Sequence, residues 1–187
     1  MKRLLVLLFS LLFFSACGGH SSKNNYGPVY LTDSVSFELL APEHIEKDLD
    51  MFQRISGTYG KNQFDTNAWV KADKTEIVME LLNDMGSSLG TLVFSGAELN
   101  FKSSFFPRNI KIEYALADFQ LCFYKTDALR SALGALALKA ETDMAGNETR
   151  RIYNGNECII EIEKTPGYVR YINHLRSYTY TILGDFP

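Results

Sequence analysis

From residue 64 onward, apolar and polar positions alternate with a period of two. Phe64, Thr66, Ala68, Val70 and Ala72 take turns with Asp65, Asn67 and Lys71, and Ile77, Met79 and Leu81 with Glu76 and Glu80. That is the pattern of strands with one buried face. Asp73-Lys74 between them predicts a tight hairpin turn, and the runs 90–95 and 98–103 flank Gly96-Ala97 and continue an up-and-down meander. Upstream, residues 51–59 pair with the strand that starts at Gln63 across Gly60-Lys61-Asn62. Near the other end, runs 150–153 and 157–164 bracket Asn154-Gly155-Asn156, the strongest short hairpin signal in the chain. Runs 168–172 and 178–183 close the series. Trp69 falls on the polar side of its strand with Asp65, Asn67 and Lys71, which suits a rim, a helix contact or a partner surface.

One segment breaks the period of two. Between residues 110 and 133, Lys111, Asp118 and Lys125 recur every seven positions and mark one narrow polar stripe on a helix. Ile112, Ala115, Leu116, Phe119 and Phe123 cover one face, and Tyr114, Ala117, Leu121 and Tyr124 cover more of the circumference. A helix apolar over most of its girth must be buried or sit in something apolar. On its stripe, Asp118 reads as a solvated or capping charge. Thr126-Asp127 offers an N-cap for a second short helix, 128–133, ended by Gly134. The fold expected is mainly β within the α+β class: a curved antiparallel sheet with a helical insertion after about five strands and before the last four.

The start of the chain has another logic. Lys2 and Arg3 precede eleven residues, Leu4 to Phe14, of which only Ser10 is polar; this is the layout of a secretory signal, and it is short of the ~20 apolar residues that a spanning helix needs. Phe14-Ser15-Ala16-Cys17 resembles the bacterial lipobox, in which the cysteine is diacylated before cleavage and its new amino group is acylated afterwards; ordinary secretory cleavage is the other reading. Gly18 after the cysteine, where Asp would retain such a lipoprotein in the inner membrane, implies export to the outer membrane. Residues 18–28, rich in Gly, Ser and Asn, have the composition of a flexible tether. The expected organisation is a lipoprotein signal peptide at 1–16, a tether at 17–28 and one domain at 29–187.

That plan, with Leu116-Ala117-Asp118-Phe119-Gln120-Leu121, Ala128-Leu129-Arg130, Arg151 and Tyr168-Val169-Arg170-Tyr171-Ile172-Asn173, resembles a family of bacterial lipoproteins of unknown function related to the Lol sorting proteins. The resemblance covers most of the mature chain and implies a LolA/LolB-like incomplete β-barrel, its concave apolar interior covered by helices that shield acyl chains in transit. It also implies genomic proximity to aryl polyene or fatty-acid-like biosynthesis.

Composition narrows the chemistry. With a net charge of −3 and no basic run outside the signal, nucleic acid is excluded as a partner, because phosphate neutralisation needs clustered Lys and Arg. The 13 Phe, 10 Tyr and five Met supply aromatic and adaptable apolar surface for a loosely specific pocket. Gly86-Ser87-Ser88-Leu89-Gly90 fits Gly-x-Ser-x-Gly, and Asp118 or Asp127 and then His174 follow in the chain order of an α/β-hydrolase triad. A strand-forming run on each side of that motif points instead to a hairpin loop. His20, His44 and His174 have no second His or Cys at ligand spacing, so no metal is expected. Glu157, Glu161 and Glu163 read as the wet face of a strand. Cys122 and Cys158 both fall on apolar faces, as two buried free thiols or as a disulfide pinning the helix to the sheet.

The function expected is therefore non-catalytic and needs no cofactor. An outer-membrane lipoprotein, anchored on the periplasmic face through lipidated Cys17, would bind an acyl chain, a lipid or a lipidated protein for localisation or transfer. Phe94, Leu116, Phe119 and Phe123 are the candidate ligand contacts, the insertion helix would be lid or plug, and a periplasmic carrier protein is a candidate partner. A periplasmic esterase or thioesterase using Ser88 and a scaffolding lipoprotein without ligand are the competing readings.

Overall fold

In the computed structural model, residues 25–107 and 109–186 are described. The signal, Cys17 and most of the tether lie outside them. The strands are β1 (Val29–Tyr30), β2 (Ser36–Phe37), β3 (Leu49–Tyr59), β4 (Asn62–Ala72), β5 (Ile77–Leu82), β6 (Ser88–Phe94) and β7 (Leu99–Lys102), then β8 (Ala137–Thr142), β9 (Glu148–Asn154), β10 (Glu157–Lys164), β11 (Tyr168–Asn173) and β12 (Tyr178–Leu183). Two helices, α1 (Ile112–Phe123) and α2 (Thr126–Ala132), separate the two groups. The protein is mainly β, as the alternation implied.

Strands β3 to β12 form one antiparallel sheet of ten, in the order β7-β6-β5-β4-β3-β12-β11-β10-β9-β8. It consists of two five-stranded meanders joined where β3 pairs with β12, with Gly57 opposite Tyr180 and Ile55 opposite Ile182. β7 and β8 remain open edges, so the sheet does not close into a barrel. The helices connect those two edges. Because β8 lacks a clean period, the sequence pattern passed over it; the insertion follows five strands of the large sheet, as expected, but precedes five rather than four. β1 and β2, two residues each, form a separate small ladder.

The turns follow local chemistry. Gly155-Asn156 closes the β9–β10 hairpin, with Gly155 at φ +59°, a value that glycine adopts without steric cost. The β4–β5 connection is longer than the expected two residues: residues 73–76 form it, and Asp73 Oδ1 accepts from the backbone N–H groups of Thr75 and Glu76 at 2.7 and 3.1 Å. Those bonds, with the Thr75 hydroxyl, hold the Asp73 carboxyl below its usual range. α2 begins two residues earlier than expected. Lys125 precedes it and no side chain caps it; Thr126 and Asp127 lie in its first turn, where Asp127 pairs with Arg130 at 2.9 Å. Gly134, at φ +61°, ends the helical region in the left-handed conformation.

The core lies between the concave face of the sheet and α1. Leu116, Ala117, Leu121 and Cys122 are fully enclosed there, against Ile77, Phe94, Ile160, Ile162 and Tyr171. A segment N-terminal to the sheet straps the outer side of α1. Gln120, itself fully buried, exchanges two hydrogen bonds with the Leu40 backbone, accepting at Oε1 from its N–H at 2.9 Å and donating from Nε2 to its carbonyl at 2.8 Å. Ile45 bridges to Tyr124, and the Glu46 N–H donates to the Phe123 carbonyl at 2.9 Å. A buried amide that completes a neighbouring backbone in this way removes two unsatisfied polar groups at once.

Candidate ligand-binding hollow

The first half of α1 does not lie flush on the sheet. Beneath it is a hollow of about 270 Å³, floored by β3, β4, β5, β6, β7 and β12 and roofed by Ile112, Ala115, Asp118 and Phe119. Its position follows from register. Ile55, Thr66, Ala68, Leu81 and Leu92 all fall on the inward side of their strands, and the two smaller ones leave room where a long side chain would fill it. Gly90 widens the same floor. A Cβ there would sit 2.9 Å from the Phe101 ring, so glycine lets that ring lie down over the sheet. Phe101 lines the hollow and packs on Phe106, which meets exposed Phe105 edge-on at 5.2 Å. Phe64, 39 % exposed, lies at the open end.

Polar groups at this surface are few. Among the described residues, Gln53, Thr66, Asp118 and Tyr180 are the polar ones lining it, and no Lys or Arg does. Gln53 is 2 % exposed, and its Nε2 has no hydrogen-bond partner among the described residues. It was not among the residues singled out from the sequence. Its signal was available: Leu49, Met51, Gln53 and Ile55 share the inward side of β3, and Gln53 interrupts that apolar series.

Asp118 is the larger correction. Instead of a solvated charge on a polar stripe, it lines the hollow and accepts a hydrogen bond from the Tyr178 hydroxyl at 2.7 Å. Burial drives its carboxyl up to about 7, against the opposing pull of the Tyr171 and Tyr178 hydroxyls and Arg176. Tyr171 and Tyr180 stack at 5.0 Å and 6° beside it, with Tyr178 parallel to both. This half-buried acid among stacked tyrosines pushes their hydroxyls upward in turn, after burial itself.

The candidate contacts separate. Phe119 lines the hollow, whereas Leu116 and Phe94 are fully buried in the core and do not line it. Phe123, 4.8 Å from Phe119 between ring centroids, faces a second depression at the C-terminal end of α1. That depression, about 550 Å³, is more polar, with Glu46, Lys47, Arg130, Glu148 and Lys164 around it. Trp69 points away from the hollow, opposite Phe52 in register, and donates from Nε1 to Asp50 at 3.1 Å.

A charged cluster anchors the far end of α1. Arg150 of β9 is fully buried; its Nη1 donates to the carbonyls of Leu121 and Tyr124 at 3.0 and 2.7 Å, and its Nε and Nη2 to Glu148 at 2.7 and 3.1 Å. Glu46 and Lys164 complete the network, with Lys164 Nζ 2.8 Å from both Glu46 and Glu148. Burial pushes Glu148 upward, but Arg150 and Lys164 outweigh it and hold its carboxyl below the usual range. A cation at a helix C-terminus also meets the negative end of the helix dipole. Together with the Gln120–Leu40 and Ile45–Tyr124 links, this pins the C-terminal half of α1.

The hydrolase-like motif has the wrong context. Ser88 opens β6 opposite Leu82, Gly90 lies within the strand, and no helix follows. Asp118 is engaged by Tyr178, Asp127 by Arg130, and His174 lies 3.8 Å from Glu161. Cys122 and Cys158 are free thiols, and burial pushes that of Cys122 up to about 12. Among the described residues no group of three or more His, Cys, Asp or Glu could hold a metal, and no helix is long and apolar enough to cross a membrane.

No curated protein matches this chain. Residues 50–183, from the second residue of β3 to the end of β12, match a family model described as a protein of unknown function, DUF3261. The match spans the ten-stranded sheet apart from Leu49, both helices and the residues lining the hollow, and the chain belongs to the DUF3261 family.

Proposed function

We propose that this protein is a non-catalytic lipid-binding lipoprotein, held on the periplasmic face of the outer membrane by acylated Cys17, that takes an apolar chain into the hollow under α1. The single observation that carries this reading is the hollow itself: a preformed, mostly apolar cavity of about 270 Å³ with an aromatic open end. Its volume falls near the lower end of the ~300–1,000 Å³ typical of small-molecule pockets. Each methylene moved there from water contributes ~0.8 kcal/mol. The open ten-stranded sheet with helices across its concave side agrees with a LolB-like half-barrel, the design implied by the Leu116–Leu121 motif.

Capture and hand-over would then use the N-terminal end of α1. Gln120 and Arg150 pin its C-terminal half, whereas its first turn is tied at the surface, by the Tyr30 N–H donating to the Tyr114 hydroxyl at 3.2 Å, and Phe105 and Ile110 before it are exposed. Native mass spectrometry of the protein purified from its host tests the reading: copurifying lipid supports it, and an empty hollow that takes up no chain sinks it. Cys17→Ala tests the anchor. The variant should leave the membrane fraction and lose function in the cell; full function from a soluble form would replace the receiver with a diffusible carrier.

A further inference from the structure

We infer that the hollow selects a chain carrying a neutral carbonyl, an ester or amide of an acyl group, over a free carboxylate or a plain hydrocarbon, and that Gln53 reads that carbonyl. The inference rests on the chain-binding reading above. Gln53 is enclosed almost completely and lines the hollow, and its Nε2 is buried with no partner among the described residues; a half-turn of the side-chain amide would present that donor to the hollow. A buried donor left unpaired is costly, and a ligand that supplies an acceptor recovers that cost on binding. The matching acceptor is an oxygen that needs no counter-charge.

Charge decides which oxygen. Among the described residues no Lys or Arg lines the hollow, and the one carboxyl that does, Asp118, faces the same space. A fatty-acid anion would be stripped of water there, with no Lys or Arg to pair it and a like charge nearby, the least favourable form of buried charge. An ester or amide carbonyl has the lone pairs without the charge. The position of Gln53 adds a length. It lies four residues along β3 from Gly57, which pairs with mouth-side Phe64, so the carbonyl would sit ~13 Å in from that end. Val70, Met79 and Leu92 line the hollow one register step deeper. The ligand therefore has apolar chain on both sides of the carbonyl.

The test uses the whole chain carrying Cys17→Ser, so that it can be handled without detergent. Undecane, methyl decanoate and decanoate compete at pH 8 against bound N-phenylnaphthylamine. Methyl decanoate should bind about tenfold more tightly than either of the others, the worth of roughly one recovered hydrogen bond. Gln53→Met keeps size and apolar contact; with each competitor read against the variant's own fluorophore affinity, the ester's advantage over undecane should fall to within about twofold. Asp118→Asn, read independently, should improve decanoate binding several-fold relative to undecane. Equal binding of ester and hydrocarbon, or an ester advantage that survives Gln53→Met, overturns the carbonyl inference and leaves chain binding standing. Failure of all three probes to displace the fluorophore overturns chain binding itself, and the inference with it.

Discussion

Tyr178 donates its hydroxyl proton to Asp118 Oδ2 across 2.7 Å and so joins the last strand of the sheet to the roof of the hollow. The bond spans sixty residues of sequence. It places an ionisable group where water is scarce, and the energetics of that choice can be measured.

Burial raises the Asp118 carboxyl from 3.8 to about 7, so between those values the folded protein holds a proton that the unfolded chain releases. Stability should therefore fall as pH rises through that window. A tenfold difference in proton affinity between the folded and unfolded states is worth ~1.4 kcal/mol, which puts the full change on the order of a few kcal/mol. The groups around Asp118 are Tyr178, Tyr171, Tyr180, Arg176 and the Cys122 thiol; none of the tyrosines or the cysteine ionises below pH 8. Urea midpoints at pH 5 and pH 8 should differ for the native protein and nearly coincide for Asp118→Asn, which should also be the more stable of the two at pH 8.

Arg150→Met removes a fully buried guanidinium, leaves the Leu121 and Tyr124 carbonyls without its donor and leaves Glu148 with Lys164 alone. Breaking one partner of a buried charge network costs ~3–5 kcal/mol, and chemical denaturation should register that loss. By contrast, Arg54→Ala breaks an exposed bidentate pair with Asp65 and should barely move the midpoint.

Leu116→Ala and Phe119→Ala separate core from site. Leu116 is enclosed with no face on the hollow, so its truncation should cost ~2–5 kcal/mol and leave fluorophore affinity nearly unchanged in protein that remains folded. Phe119 lines the hollow, and its truncation should change fluorophore affinity severalfold. If Leu116→Ala alters binding more than Phe119→Ala does, the hollow is not the site.

Gly57→Ala should be poorly tolerated, although no turn requires glycine there. A Cβ at that position would lie 2.6 Å from the Cβ of Tyr180 across the β3–β12 junction. The expected penalty is ~1–3 kcal/mol, visible as a lower thermal midpoint, and the tyrosine stack should loosen with it.

The strands from 51 to 103 and from 150 to 183 were legible because one face of each packs and the other meets water, which imprints a period of two. The Gly155 turn was legible because only a few residues accept its backbone angles. β8 was not, since at an open edge only Leu138 is buried and too little of the strand packs to leave a period. Asp118 was misread for a related reason. A helical stripe of Lys111, Asp118 and Lys125 reports a shared face, but Lys111 is exposed while Asp118 sits two turns further on, over the hollow.

By itself the sequence determined the class of the fold, the place of the helices within it and the apolar character of α1, because alternation, turn chemistry and amphipathicity are local. It also determined the signal-like start and the cysteine at its end, features of composition and order alone. Only the tertiary structure decided which apolar residues are core and which line a cavity, since Leu116 and Phe119 differ in what the sheet brings beneath them. It likewise decided that Gln53 and Asp118, sixty-five positions apart, share one apolar hollow. Register across β3, β4 and β12 sets that meeting, and register is a property of strands in company.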